Sequence, residues 1–289
     1  MSNGDIQYLN VRKVFRDKTP KLAKIIPGFL YCFIERIIHQ DGLNDLLSIH
    51  GHKFGAEFSR GCMEYHNVSI DVKGIDNIPL NGRYLFVSNH PLGGFDGIML
   101  MTVIAEKFGD VRVMVNDILM NIENLRPVFL PINKHGSHSK EGAKTIDAAF
   151  ETNIPILTFP AGLCSRKIKG KITDLEWKKN FLSKAINFKR DIVPIYFNGR
   201  NSNFFYNLSN FRKRIGIKIN IEMFFLVDEL YKHRNGKFSS VFGKPIQYKI
   251  FDKRLSLSDW AEKLKKHVYR LKDNPEQDFN ADSAYIQNQ

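Results

Sequence analysis

Long apolar runs are missing from this chain. A membrane-spanning helix needs roughly 18 or more uninterrupted apolar residues. The longest candidate near the start, residues 25–38, is broken by Pro27-Gly28 and again by Glu35-Arg36. Crossing of a bilayer by these helices is therefore not expected, although lying on one is compatible with the composition. Cysteine is scarce: Cys32, Cys62 and Cys164 stand far apart, which excludes a cysteine metal cluster or a disulfide framework and fits a reducing compartment. The first ten residues carry Asp5 and no apolar core, so no secretory signal is read there. Acidic residues are in deficit, 30 against 43 Lys and Arg, for a formal charge of +13. Such a surface attracts polyanions: nucleic acid, anionic lipid or an acidic carrier protein. No recognised nucleic-acid module and no basic–aromatic stripe on one element is present, so no nucleic-acid partner is expected.

What is present is enough for a substantial core. The chain has 289 residues, 43% of them hydrophobic, and an unusual 23 Phe, which leaves aromatic surface available for lipid. No internal repeat or long linker divides it. The reading is an N-terminal helical segment over residues 1–60, one α/β domain over 61–272 and a polar tail over 273–289. Residues 9–27 are basic and amphipathic, with Thr19-Pro20 as a helix start. Residues 29–38 continue as a more apolar helix ending near Asp41-Gly42. This segment is either an interfacial element, with cations at the lipid headgroups, or a packed helix pair with a solvated basic face. Further on, strands are predicted over 66–74, 84–88, 111–115, 126–133, 154–159, 192–199, 215–221 and 242–246. Helices are predicted over 98–108, 141–150, 181–188 and 256–271.

The chain is organised around residues 87–100, where the apolar run Tyr84-Leu85-Phe86-Val87 passes through Ser88-Asn89-His90-Pro91-Leu92-Gly93-Gly94-Phe95-Asp96 into a helix. His90 closes the strand and Asp96 opens the helix, where negative charge is favoured. Five residues separate the two, and Gly93 and Gly94 let the loop fold them together. They form a general base oriented by a carboxylate, with no Ser or Cys nucleophile beside it, or they merely end a strand and cap a helix. A second strand-end loop, Pro160-Ala161-Gly162-Leu163-Cys164-Ser165-Arg166-Lys167, closes on two cations. Amides near Gly162 together with Ser165, Arg166 and Lys167 suit a phosphate; the alternative is a surface turn with incidental charge. His135 and His138 share a polar loop with no third ligand nearby, so no metal is expected.

Three blocks in fixed order change the balance. Asn89-His90 through Asp96, Phe159-Pro160 through Arg166, and Val193-Pro194-Ile195 resemble the glycerophosphate and lysophosphatidate acyltransferase superfamily, with Val128-Phe129-Leu130 at the place of its second block. The resemblance covers about residues 70 to 200. It implies an α/β fold, a single acyltransferase domain with a mixed, largely parallel central sheet flanked by helices, joined here by N-terminal amphipathic helices. Departures narrow the branch. His90 and Asp96 stand one residue further apart than usual, Ala161 replaces a Glu, and Asn133 lies near the place of a missing Arg. These features look more like the hemolysin-annotated branch that includes ornithine-lipid and glycine-lipid N-acyltransferases. Nothing in the chain looks pore-forming.

The resemblance implies transfer of a (3-hydroxy)acyl chain from an acyl carrier protein thioester to the amine of an amino acid, glycine or ornithine. His90 would act as general base and Asp96 would hold its tautomer. Asn89, Gly93, Gly94, Phe159, Pro160, Gly162, Ser165, Arg166 and Lys167 would line the substrate. The amides of Gly93, Gly94 or Gly162 are candidates for the oxyanion, and Ser165, Arg166 and Lys167 for an anionic group. The alternative is O-acylation of lysophosphatidate or another lysophospholipid. No cofactor is expected beyond acyl carrier protein or CoA as the thiol of the cosubstrate. The expected setting is the inner face of a bacterial cell membrane, against anionic lipid. A non-catalytic membrane-binding protein that keeps the fold is the reading from outside enzymology.

Overall fold

The computed structural model describes residues 8–132 and 139–282. It opens with α1 (Val11–Lys18), α2 (Pro20–Ala23), α3 (Gly28–Ile37), α4 (Gln40–His50) and α5 (Gly55–Tyr65). Strand β1 (Ser69–Lys73) leads to β2 (Tyr84–Ser88), α6 (Phe95–Phe108), β3 (Arg112–Val115), β4 (Phe129–Pro131), α7 (Ser139–Glu151) and β5 (Ile156–Thr158). A hairpin of β6 (Arg166–Ile168) and β7 (Lys171–Thr173) follows, then α8 (Asn180–Asn187), β8 (Asp191–Asn198), α9 (Asn203–Arg214), α10 (Leu226–Lys232), β9 (Lys237–Phe242) and α11 (Leu257–Arg270).

Seven strands form one sheet in the order β1-β9-β8-β2-β5-β3-β4, parallel throughout except where β8 meets β9. Strand β2 lies at its middle. All five of its residues are buried, as befits a strand covered on both faces. The period-two alternation splits them between two cores. Tyr84 and Phe86 join α5 and α6 residues on one face, while Leu85 and Val87 join Phe150, Trp177, Leu182 and Trp260 on the other. After β2 the chain builds β3, β4 and β5 on one side of it, then crosses over to lay β8 on the other. Ligand crevices in open α/β sheets form beyond the carboxyl ends of strands at such a reversal. The loops after β2, β5 and β8 meet there.

Several sequence expectations shift. The helix expected to stop near Asp41-Gly42 gives way at His39, whose φ of 49° makes a left-handed break, and α4 runs straight through both residues. The boundary placed at residue 60 falls inside α5. The strand predicted over 215–221 does not form. Ile215, Ile217 and Ile219 supply the alternation of a strand, but Gly216 turns the chain at φ 78°, and the segment is an exposed loop before a short 3-10 turn, Ile221–Phe225. The basic stretch after Arg166 folds partly as the unforeseen β6–β7 hairpin. The last strand spans Lys237–Phe242, earlier than predicted. His135, His138 and Asn133 lie outside the described residues.

Within the N-terminal helices, Arg12 Nε on α1 donates to Glu35 on α3 at 2.9 Å, and His39 Nε2, 2.9 Å from Asp228 on α10, pins the segment to the domain. Val11 and Tyr31 are buried, whereas Ile25, Phe29 and Phe33 face solvent. Among the described residues, no helix is long and apolar enough to cross a membrane.

Candidate active site

The loop after β2 folds His90 and Asp96 together, as the sequence allows. His90 Nδ1 lies 3.0 Å from Asp96 Oδ2. The carboxylate is fully buried and is held by three amides: Leu92 N at 3.0 Å to Oδ2, and Gly94 N at 3.2 Å and Gly97 N at 2.9 Å to Oδ1. Asp96 thus combines a helix N-terminal position with a fixed seat for the imidazole. Gly93 makes the fold possible, with a φ of 74° and no room for a Cβ, which would stand 2.8 Å from Cys164 Cβ.

Burial works against a charged imidazole at His90, but the Asp96 carboxylate outweighs it, so the His90 pKa is raised above its ordinary value. For Asp96, burial likewise opposes charge and is overcome by His90 and the Leu92 and Gly97 amides, which hold its pKa below the ordinary carboxylate value. With Nδ1 engaged by the carboxylate, the imidazole has Nε2 left for a substrate proton. The His90 side chain is 15% exposed and one ring face is covered by Phe159, with centroids 4.1 Å apart. Phe159, expected at the substrate, thereby fixes the plane of the imidazole.

No Ser, Thr or Cys side chain hydrogen-bonds to His90 among the described residues. Burial pushes the Cys164 thiol up to about 11, which keeps it protonated at neutral pH. The arrangement therefore offers a base without an enzyme nucleophile, and suits direct transfer between two substrates.

Several residues expected to line the substrate turn inward instead. Asn89 is bolted to β8: its Nδ2 donates to Phe197 O at 2.9 Å and its Oδ1 accepts from Phe197 N at 2.7 Å. Both ends of the amide are occupied, so Asn89 holds the loop to the sheet. Ser165 Oγ donates at 2.5 Å to Asp174, while Ser165 N donates at 2.8 Å to His90 O. Arg166, offered by the sequence as an anion ligand, is 1% exposed. Its guanidinium reaches Cys164 O at 2.7 Å and Glu222 Oε1 at 3.0 Å, and Glu222 also pairs with Arg212 at 2.5 Å. That correction has a physical reason, because a guanidinium pointing into a hairpin base needs buried acceptors and finds a carboxylate brought from beyond the far end of α9. Lys167, next along β6, is half-buried on the opposite side. Pro160 is buried, with its carbonyl accepting from Lys178 N at 3.1 Å, and Ala161 sits in the second core.

Among the glycine amides, Gly94 N serves Asp96 and Gly162 N donates to Phe159 O at 3.0 Å. Gly93 N has no acceptor among the described residues.

One residue escaped sequence reasoning altogether. Asp174, just after β7, accepts from His90 N at 3.2 Å, from Ser165 Oγ, and from Trp177 Nε1 at 2.9 Å. Its own N–H donates to Tyr269 Oη at 2.7 Å. An acid in a basic stretch gave no signal; only the packing of the hairpin against the β2 loop brings it under His90. Burial raises its pKa, against the pull of Ser165 and Trp177.

The family model described as Acyltransferase matches residues 13–277. The chain is 46% identical over 272 residues to a lyso-glycine lipid O-acyltransferase of Bacteroides thetaiotaomicron, covering 94% of this chain and 100% of the relative. It is 45% identical to a protein of the same name from Phocaeicola vulgatus, covering 94% of this chain and 98% of that one. Among solved structures, the 1-acyl-sn-glycerophosphate acyltransferase PlsC of Thermotoga maritima aligns over 90% of this chain and 98% of its own, at 18% identity and a TM-score of 0.48. The chain belongs to the acyltransferase family, and is an enzyme of lipid acylation.

Proposed function

We propose that this acyltransferase moves an acyl chain from a thioester onto a hydroxyl oxygen of a lysolipid that carries a glycine headgroup. The supporting observation is the His90–Asp96 pair, with an imidazole seated by a buried carboxylate in a chain similar along nearly its whole length to lyso-glycine lipid O-acyltransferases. The relatives' name moves the acceptor atom from the amine expected above to oxygen, while keeping the glycine type of lipid.

In this reading His90 Nε2 removes the hydroxyl proton as the oxygen attacks the thioester carbonyl. Asp96 stabilises the imidazolium that forms and keeps Nδ1 protonated. The tetrahedral oxyanion lies at the Gly93 amide, the only one of the three candidate glycines whose N–H is left open among the described residues. Collapse breaks the C–S bond, and His90 returns the proton to the departing thiolate. A hydroxyl arrives neutral, whereas an amine arrives mostly as ammonium and must first lose a proton. A base with a raised pKa fits the former more simply. The donor is acyl carrier protein, an acidic partner for a chain of net charge +13, and the enzyme works on the inner face of a bacterial cell membrane.

The test is an assay with acyl carrier protein and CoA thioesters against a glycine lysolipid, free glycine, ornithine and lysophosphatidate, read by mass spectrometry before and after mild alkali. An alkali-labile product from the glycine lysolipid that is lost in His90→Ala supports the proposal. An alkali-stable N-acyl amino acid, or phosphatidate, replaces it.

A further inference from the structure

Residues 192–221 contain no acidic side chain. Within them α9 ends in Arg212-Lys213-Arg214 and the chain projects as a loop in which every residue from 213 to 219 is exposed. The tip is apolar as well as cationic. Phe211, Ile215, Ile219 and Phe224 are between 52% and 69% exposed, and Lys213, Arg214 and Lys218 stand among them with no carboxylate partner among the described residues. Isolated exposed apolar side chains are ordinary, but a contiguous group on a projection marks a contact surface.

The tip is not loose. Arg212 donates to Ile217 O at 3.0 Å and to Asn220, and Ile217 N returns a bond to Arg212 O at 2.9 Å. At the base, buried Glu222 joins Arg212 to Arg166, whose neighbour Ser165 is bonded to the backbone of His90. On the other flank Leu226 packs where Gly93 leaves space. The projection is therefore rigidly joined to the loop that carries the base.

We propose that the 211–224 projection inserts its apolar side chains into an anionic bilayer, with Lys213, Arg214 and Lys218 at the headgroups, and so presents the His90 loop to lipid held in that bilayer. A convex tip exposed all round fits a deformable medium, and the alternation of Ile with cations matches the boundary between acyl chains and phosphates. Joined through the His39–Asp228 pair to the helices bearing exposed Phe29 and Phe33, it gives the enzyme a second point of attachment. That a lysolipid is drawn from the bilayer rests on the proposed function; the attachment itself does not.

The experiment uses full-length protein and vesicles of phosphatidylglycerol, with neutral phosphatidylcholine vesicles for comparison. Trp177 and Trp260, the two tryptophans, are buried, so Ile219→Trp adds one reporter at the tip. Its emission is expected to shift to the blue and be quenched by bromine-labelled acyl chains in anionic vesicles. Ile217→Ser with Ile219→Ser is expected to lower partitioning ~10-fold or more, and Lys213→Glu with Lys218→Glu to abolish the preference for anionic lipid, with thermal unfolding unchanged in both. An unquenched signal from the introduced tryptophan and unchanged partitioning would overturn the proposal. So would normal vesicle binding with activity lost only on carrier-protein thioesters, which would make the tip a carrier dock. Because partitioning needs no turnover, failure of the proposed reaction is read separately.

Discussion

The two strand-end loops carry similar sequence signals and opposite structures. After β2, a His and an Asp sit among glycines; after β5, a Ser and an Arg follow a glycine. The first loop seals its carboxylate with amides and leaves the imidazole partly exposed. The second turns its Ser and Arg inward and leaves Gly162 exposed with Leu163 and Lys167 half-buried. What separates them is the supply of partners. Backbone N–H groups from a helix start satisfy Asp96 locally, whereas Arg166 and Ser165 are claimed by two carboxylates, Glu222 and Asp174, that arrive from elsewhere in the chain. A charged motif at a strand end thus becomes a site or a bolt according to what the fold packs against it.

The sharpest way to break this contrast is to remove the imidazole proposed as the base. His90→Ala is expected to lower kcat/KM by ~10²-fold or more while leaving the unfolding temperature near that of the parent, because its ring is partly exposed. Steady-state assay and calorimetry on the same samples check both halves. For the bolt the expectation is reversed. Glu222→Ala strands two buried guanidinium groups and is expected to cost roughly 3–5 kcal/mol of stability, seen as a lower urea midpoint. A variant with unchanged stability would return Arg166 to the list of ligand-binding candidates.

Asp174→Asn sharpens the boundary between the loops, since this carboxylate touches both. Its amide would point a donor at Trp177 Nε1 or at the His90 and Ser165 donors, at a cost of ~1–3 kcal/mol. Loss of the charge is also expected to lower the pH at which activity rises, because Asp174 helps raise the His90 pKa.

The pH dependence follows with its sign. A base must be neutral, so kcat/KM is expected to fall as pH drops through a His90 value that lies above the ordinary ~6.5. In Asp96→Asn burial is no longer outweighed, and the inflection should move below that ordinary value. In stability the pair acts in a window. The His90 share is full below the ordinary histidine value and is lost as pH rises through its raised value. The Asp96 share is present above the ordinary carboxylate value and is lost as pH falls through its lowered one. The smallest effect is expected at Lys167→Ala, within about 0.5 kcal/mol of stability, with rate measured against the carrier-protein donor.

By itself the sequence determined the local pieces. The apolar run of β2, the glycines that let His90 meet Asp96, the helix over 256–271 and the ordered blocks are all short-range signals, set by periodicity and backbone freedom. They carried the fold class and the first loop, because Asp96 is satisfied by amides within a few residues of it. Tertiary structure alone decided the rest. It showed that Asn89 clamps β8 across 108 residues, that Asp174 underpins His90 from 84 residues away, and that Glu222 turns Arg166 from a ligand into a strut. It also decided that the Ile215–Ile219 alternation, which reads as a strand, finds no sheet edge to pair with and projects into solvent. Buried polar groups must find partners, and which partners reach them depends on how distant segments pack.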